Sequence, residues 1–325
     1  DLSFVMRGNL STSSSRNGVA ARTVTITGEA PNGTLGSTVL TGGMRLAGGN
    51  LGASTVDATA TVILIGNNAS VPKFVINGDV SVLSTDSTGA AGSGGGEAYG
   101  LVIAKDGSLP YLYNAGSFNV TSSGKAHGSY ALIDYSGTLT NIENIGTFSA
   151  SRNIDNTGRS VSMDLSSATT GITLTNSGTL GGDILLGSGG DIVTSASGTL
   201  AGNLIMGAGN DTATIQNTTM FGNIDTGSGN NVVAIQGNSK LTGAIFGTGN
   251  TDLTVSQSTL TISEDTPVRV SNARIGAGST LGFTVNGRGS HASTVRASGT
   301  VIVESGAKLD TTITGIVTDE RSEEH

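Results

Sequence analysis

No cysteine occurs among the 325 residues, which excludes a disulfide scaffold, a thiolate metal site and a cysteine nucleophile. The absence does not assign a compartment, since a secreted chain that crosses a narrow pore unfolded also gains from lacking disulfides. Tryptophan is missing as well, aromatic residues make up 4%, and 4 prolines stand against 51 glycines. Collagen is excluded, because glycine does not recur at every third position and proline is scarce. The longest uninterrupted apolar run is Val62 to Ile65, far too short for a membrane-spanning helix. No signal peptide is read at Asp1, so any export signal or membrane anchor is expected outside this stretch. Charge is sparse too, at 12% of residues with a formal net charge of −8. Nucleic acid and anionic membrane surfaces both call for basic clusters. Arg7, Arg16 and Arg22 are spaced too widely to make one.

What the chain does have is 36% apolar residues and an abundance of Gly, Thr, Ser, Val and Ile. Such a composition buries a core but forms helices poorly, and it favours short strands joined by glycine-rich turns. Self-comparison shows how they are organised. Residues 177–196, 197–216 and 217–236 align at a period of 20 without a gap. Residues 237–257 follow, with one residue gained before Leu241 and one lost before Gly247. Leu180, Leu200, Met220 and Leu241 form one apolar column, and Ile184, Leu204, Ile224 and Ile245 a second. Val193, Ala213, Val233 and Leu253 form a third, and Ser195, Ile215, Ile235 and Val255 nearly a fourth. Apolar positions two apart within one segment mean strand alternation with one face inward.

Glycines recur between these columns at 182, 202, 222 and 243, at 187, 207, 227 and 247, and at 189, 209, 229 and 249. They suit corners where backbones crowd or φ turns positive. Asn210, Asn230 and Asn250 align as well, and stacked Asn amides hydrogen-bond along a stack. A unit of about 20 residues with two or three strands cannot bury its inward face alone, so coils must stack. The predicted fold is all-β: a right-handed parallel β-helix with coils of about 20 residues or more. Upstream, Asn114 to Phe118, Asn144 to Phe148 and Asn176 to Leu180 repeat an Asn-x-Gly-Ser/Thr-Phe/Leu motif at spacings of 30 and 32. The reading divides the chain into irregular coils over 1–110, regular coils over 111–258, C-terminal coils over 259–318 and a charged tail over 319–325. Roughly 13–16 coils and a rod on the order of 60–75 Å are expected from the strand spacing.

The Asn-x-Gly-Ser/Thr-Phe/Leu series, the SGTL and GxGN coils, and the stretches IGAGSTLGFTVNG and SGTVIVESGAKL resemble the passenger regions of bacterial autotransporters. The resemblance covers residues 110–318 well and 1–109 weakly. It implies a secreted β-helix on the surface of a Gram-negative bacterium, with its last coils just ahead of a membrane barrel. No barrel sequence is present in this chain, so membrane attachment is implied only through that absent segment. The architecture hosts many functions, and function must be argued from sites.

The candidate sites were weighed on that basis. Gly207, Gly209 and Asp211 match half of a calcium-binding Gly/Asp nonapeptide, and Gly187, Gly189 and Asp191 match it less closely. The aligned position then becomes Asn231 and Thr251, and a period of 20 does not set carboxylates across a nine-residue roll. These positions are read as turn-forming corners. His127 and His291 lie in loop-like segments and His325 in the tail, with no GxSxG or HExxH motif. Asp183, Asp191, Asp211 and Asp225 fall within three coils but not in one column, as a polysaccharide-cleaving carboxylate pair would require. Tyr111, Tyr113, Tyr130 and Tyr135 cluster near Phe118, either as an aromatic contact patch or as a packed seam. No catalytic, cofactor-binding or metal residue is assigned, and no cofactor is expected.

The expectation is a non-enzymatic stalk or adhesin-like protein with a glycan or protein surface ligand and no nucleic-acid partner. The alternatives are a polysaccharide-active β-helix, a calcium-dependent roll or surface-layer protein, and an end-to-end fibre subunit. Clustering of loops 85–97 and 121–129 on one face would favour a binding module. A monomer is expected. Apolar Leu2, Phe4, Val5 and Met6 are available to cover the first coil or to pair with another copy, while charge is concentrated over 301–325.

Overall fold

The computed structural model describes residues 2–15, 18–28, 36–87, 95–124, 127–152, 157–263, 267–286 and 293–314. Among these there is no helix. The strands stack in parallel into three faces, so the molecule is a parallel β-helix. Each coil visits the first face, the second and then the third. Tyr111–Asn114, Ser117–Ser122 and Ser129–Asp134 are one such round. The next round, Asn141–Asn144, Thr147–Arg152 and Ser160–Asp164, pairs with it strand for strand.

The predicted columns are the pairing register. Leu180 pairs with Leu200, Leu200 with Met220 and Met220 with Leu241. Ile184, Leu204, Ile224 and Ile245 pair in the same way on the third face. Asp79–Thr85 shows the cause: Val80, Val82 and Ser84 alternate inward, and Ser81 and Leu83 face out. Each buried Leu, Ile or Phe contributes roughly 1.5–3 kcal/mol, which short strands obtain only by stacking. Phe118 and Phe148 are fully buried and stack at 4.5 Å between ring centroids.

Coil length differs from the expectation. On the first face, successive partners are 40 residues apart from Phe4 to Met44, 30 to Phe74 and 38 to Leu112. The spacing is then 30 to Ile142, 32 to Leu174 and 19 to Val193. It settles at 20 through Ala213, Val233, Leu253 and Ala273 before widening to 28 at Val301. Twelve passes through this face result among the described residues, not 13–16, and at about 4.8 Å each the rod is about 55 Å long. The strict period starts near residue 173 and not at 111. The upstream coils spend their extra residues on longer third-face strands and corner loops.

The Asn-x-Gly motif has a specific task. Asn114, Asn144 and Asn176 end first-face strands and turn inward, fully buried. Asn114 Nδ2 donates to Asn144 Oδ1 at 2.8 Å, Asn144 Nδ2 to Asn176 Oδ1 at 2.7 Å, and Asn176 Nδ2 to Ser195 Oγ at 3.1 Å. The same amides reach the carbonyls of Gly116, Gly146 and Gly178 at 3.2–3.3 Å. Each glycine lies against the one in the preceding coil. A Cβ on Gly178 would sit 1.9 Å from the Gly146 carbonyl oxygen, so no side chain fits at that corner.

Candidate contact surface

The insertions of the wider coils fall at the corner between the second and third faces. Residues 86–97 join Asp79–Thr85 to Ala98–Ile103, and 123–128 join Ser117–Ser122 to Ser129–Asp134. Because those strands pair in register, the loops lie one above the other. Loops 85–97 and 121–129 therefore do gather at one place. Residues 88–94 and 125–126 are outside the described residues.

Buried hydroxyls fix this corner. Thr55, Ser84 and Ser122 occupy paired positions at the ends of second-face strands and are buried. Thr55 and Ser84 both donate to the Ala58 carbonyl, at 2.6 and 2.9 Å. Ser84 Oγ accepts from the Gly96 N–H at 3.0 Å, and Ser122 Oγ donates to the Gly96 carbonyl at 2.9 Å. A corner carbonyl turned into the stack needs such a partner, because an unpaired buried polar group costs about 1–3 kcal/mol. Asp57 ties the loop from outside. It accepts from the Ser87 N–H at 2.9 Å and the Gly95 N–H at 3.1 Å, and from the Ser87 hydroxyl. The Ser87 hydroxyl, with its N–H, holds the Asp57 carboxyl below the usual range.

Beyond the corner, third-face residues that point out form an aromatic and ionisable patch. Tyr99 and Tyr130 are register partners and stack at 5.3 Å with 21° between rings. Burial raises the Tyr99 hydroxyl above the ordinary range, aided by Tyr135, Glu97 and Tyr130, and its hydroxyl meets that of Tyr135. Burial also raises Tyr130. Both phenols therefore stay protonated at neutral pH and serve as donors. Glu97 accepts from the Gly128 N–H at 2.7 Å and lies 3.8 Å from His127 Nδ1. Tyr135 is 47% exposed and gives the patch an open ring.

The predicted tyrosine cluster is thus divided. Tyr130 and Tyr135 share the third-face patch, whereas Tyr111 and Tyr113 lie on the first face, where Tyr111 donates to Glu143 at 3.3 Å. Phe118 belongs to the core. Sequence reasoning missed Tyr99. The signal was there, since AYGLVI at 98–103 and SYALID at 129–134 repeat at 31 residues.

The acidic candidates also separate. Asp183 faces out and accepts from the Asn203 N–H and Nδ2, both at 2.9 Å. Asn203 in turn accepts from the Asn223 N–H at 2.9 Å. Asp225 caps the Gly227 N–H at 3.0 Å. Asp191 and Asp211 point inward and are buried, and they accept from the N–H groups of Ile172 and Asp191, each at 2.8 Å. Asn231 continues the line by accepting from the Asp211 N–H at 2.9 Å. The four carboxylates do not converge on one groove. His291 and His325 lie outside the described residues. No family model matches the chain, and neither a curated protein nor a solved structure does.

Proposed function

We propose that this protein is a non-enzymatic stalk or adhesin-like module, secreted and displayed outside a Gram-negative cell, as its motifs' resemblance to autotransporter passengers implies. A parallel stack of coils gives it length and stiffness, and the corner surface gives it something to bind with. The single observation that carries the reading is the gathering of the long loops at one corner beside Tyr99, Tyr130 and Tyr135. Amphipathic rings with hydroxyl tips, flanked by Glu97 and His127, suit a glycan or protein surface.

The test is a printed array of glycans and extracellular proteins probed with the whole chain and with a Glu97→Ala/Tyr135→Ala variant. Binding that falls about tenfold or more in the variant supports the corner. A Lys240→Ala/Asp252→Ala control, away from that corner, should bind as the parent does. Equal binding by all three proteins would remove the corner from the account. Release of reducing ends from a polysaccharide would replace the reading with the enzyme alternative.

The fibre alternative has one observation behind it. Val303 and Leu309 continue inward columns of the stack yet are 59% and 73% exposed. We expect a monomer, so light scattering independent of concentration is the anticipated result, and concentration-dependent fibres would favour the subunit reading.

A further inference from the structure

The third-face ladder stops at Ile245–Phe246, and a separate pair, Val268–Val270 with Val295–Ala297, carries the face onward. The step between them opens a groove of about 400 Å³ at the corner between the third and first faces. Arg269 and Arg296 line it as direct register partners, both exposed. Like charges placed directly opposite in a sheet are unfavourable unless something neutralises them. Among the described residues neither guanidinium has a carboxylate within ion-pairing distance, whereas Arg274 is paired with Glu304.

The rest of the groove is polar and close to backbone, with Asn250, Ser271 and Ser298 on its wall. A contiguous hollow adds the half-buried Phe246 ring and the Asp225 carboxylate. Two guanidinium forks, a ring face, hydroxyls and an acceptor carboxylate match the parts of an acidic sugar: an oxyanion, an apolar ring face and hydroxyl groups. A long polyanion does not fit, because the chain carries a net charge of −8 and only this short basic step.

We propose that the Arg269–Arg296 groove binds a short oligosaccharide bearing a sulfated or carboxylated sugar, with the oxyanion held between the two guanidinium groups. The site is at a different corner from the tyrosine patch and does not depend on it.

The experiment is calorimetric titration of the whole chain with four probes: a heparin-derived tetrasaccharide, tetragalacturonate, uncharged cellotetraose and sodium sulfate. Saturable binding of at least one acidic tetrasaccharide at one site per chain is expected, with none for cellotetraose. Arg269→Gln and Arg296→Gln should each weaken it about tenfold or more, as loss of a charge-assisted hydrogen bond does. Arg269→Lys should fall between, because it keeps the charge and loses the fork. Both side chains are exposed, so superimposable thermal melts are expected for all variants. Undiminished affinity in the double Gln variant would overturn the proposal, as would failure of both acidic tetrasaccharides to bind. Sulfate binding as tightly as the tetrasaccharides would reduce the groove to a simple anion site and overturn the sugar assignment.

Discussion

Asp191 and Asp211 sit one above the other inside the stack, each with Oδ1 taken by a backbone N–H and Oδ2 buried without a hydrogen-bond partner. Burial pushes the Asp191 carboxyl up to about 6, partly offset by the Ile172 N–H and reinforced by the charge of Asp211. Burial also raises Asp211. An acid whose value is higher in the folded chain than in the unfolded one binds protons preferentially when folded. Its contribution to stability is therefore complete below about pH 4 and is lost as pH rises through about 6. Thermal stability should decline between pH 4 and 7. Asp191→Asn keeps the acceptor for Ile172 and removes the charge. It should raise stability at pH 8 by on the order of 2 kcal/mol and do little at pH 4. Melting curves at the two pH values measure this, and an equal effect at both would show that the Asp191 charge is not the cause.

At the scale of the strand, the buried amide ladder accounts for an irregularity in the sequence. Ser195 interrupts a column otherwise filled by Ile215, Ile235 and Val255. Its hydroxyl accepts the last amide of the Asn114–Asn144–Asn176 series and a hydrogen bond from Thr218 Oγ1 at 3.1 Å. The column turns apolar only after the polar line has been terminated. Asn144→Ala would remove the acceptor of Asn114 and the donor to Asn176 and leave a void, at a cost of about 2–4 kcal/mol. Thr175→Ala, exposed on an adjacent strand, should cost less than about half a kcal/mol. Denaturant unfolding of both variants tests the ladder, and equal stabilities would count against it.

The ladder also marks how far the sequence could be read. The motif spacing located Asn114, Asn144 and Asn176 as equivalent, because recurrence reports equivalence directly. It did not say that these amides face inward while those of Asn230 and Asn250 bond at the surface. Orientation depends on where the strand ends, and that is set by neighbouring coils. Tyr99 escaped for the same reason: its partner Tyr130 lies 31 residues away, a spacing at which no other column had been registered.

Over the whole molecule, the register of the 20-residue coils was legible down to the one-residue shift at Leu241. The upstream coil count was not, because loops of varying length at the second-to-third corner displace the motifs without disturbing the core. One further consequence follows from the direction of pairing. Interstrand hydrogen bonds run along the long axis, so tension applied between the two ends pulls each rung open in turn instead of shearing many at once. The protein should pay out under load as a ratchet of single coils. At about 3.3–3.6 Å of contour per residue, coils of 20 residues release about 70 Å each and coils of 30 about 100 Å. A single-molecule pulling trace should show both step sizes, whereas one cooperative rupture would mean that the coils do not yield singly. The same insertions that build the contact corner would then give that end of the rod its longer steps.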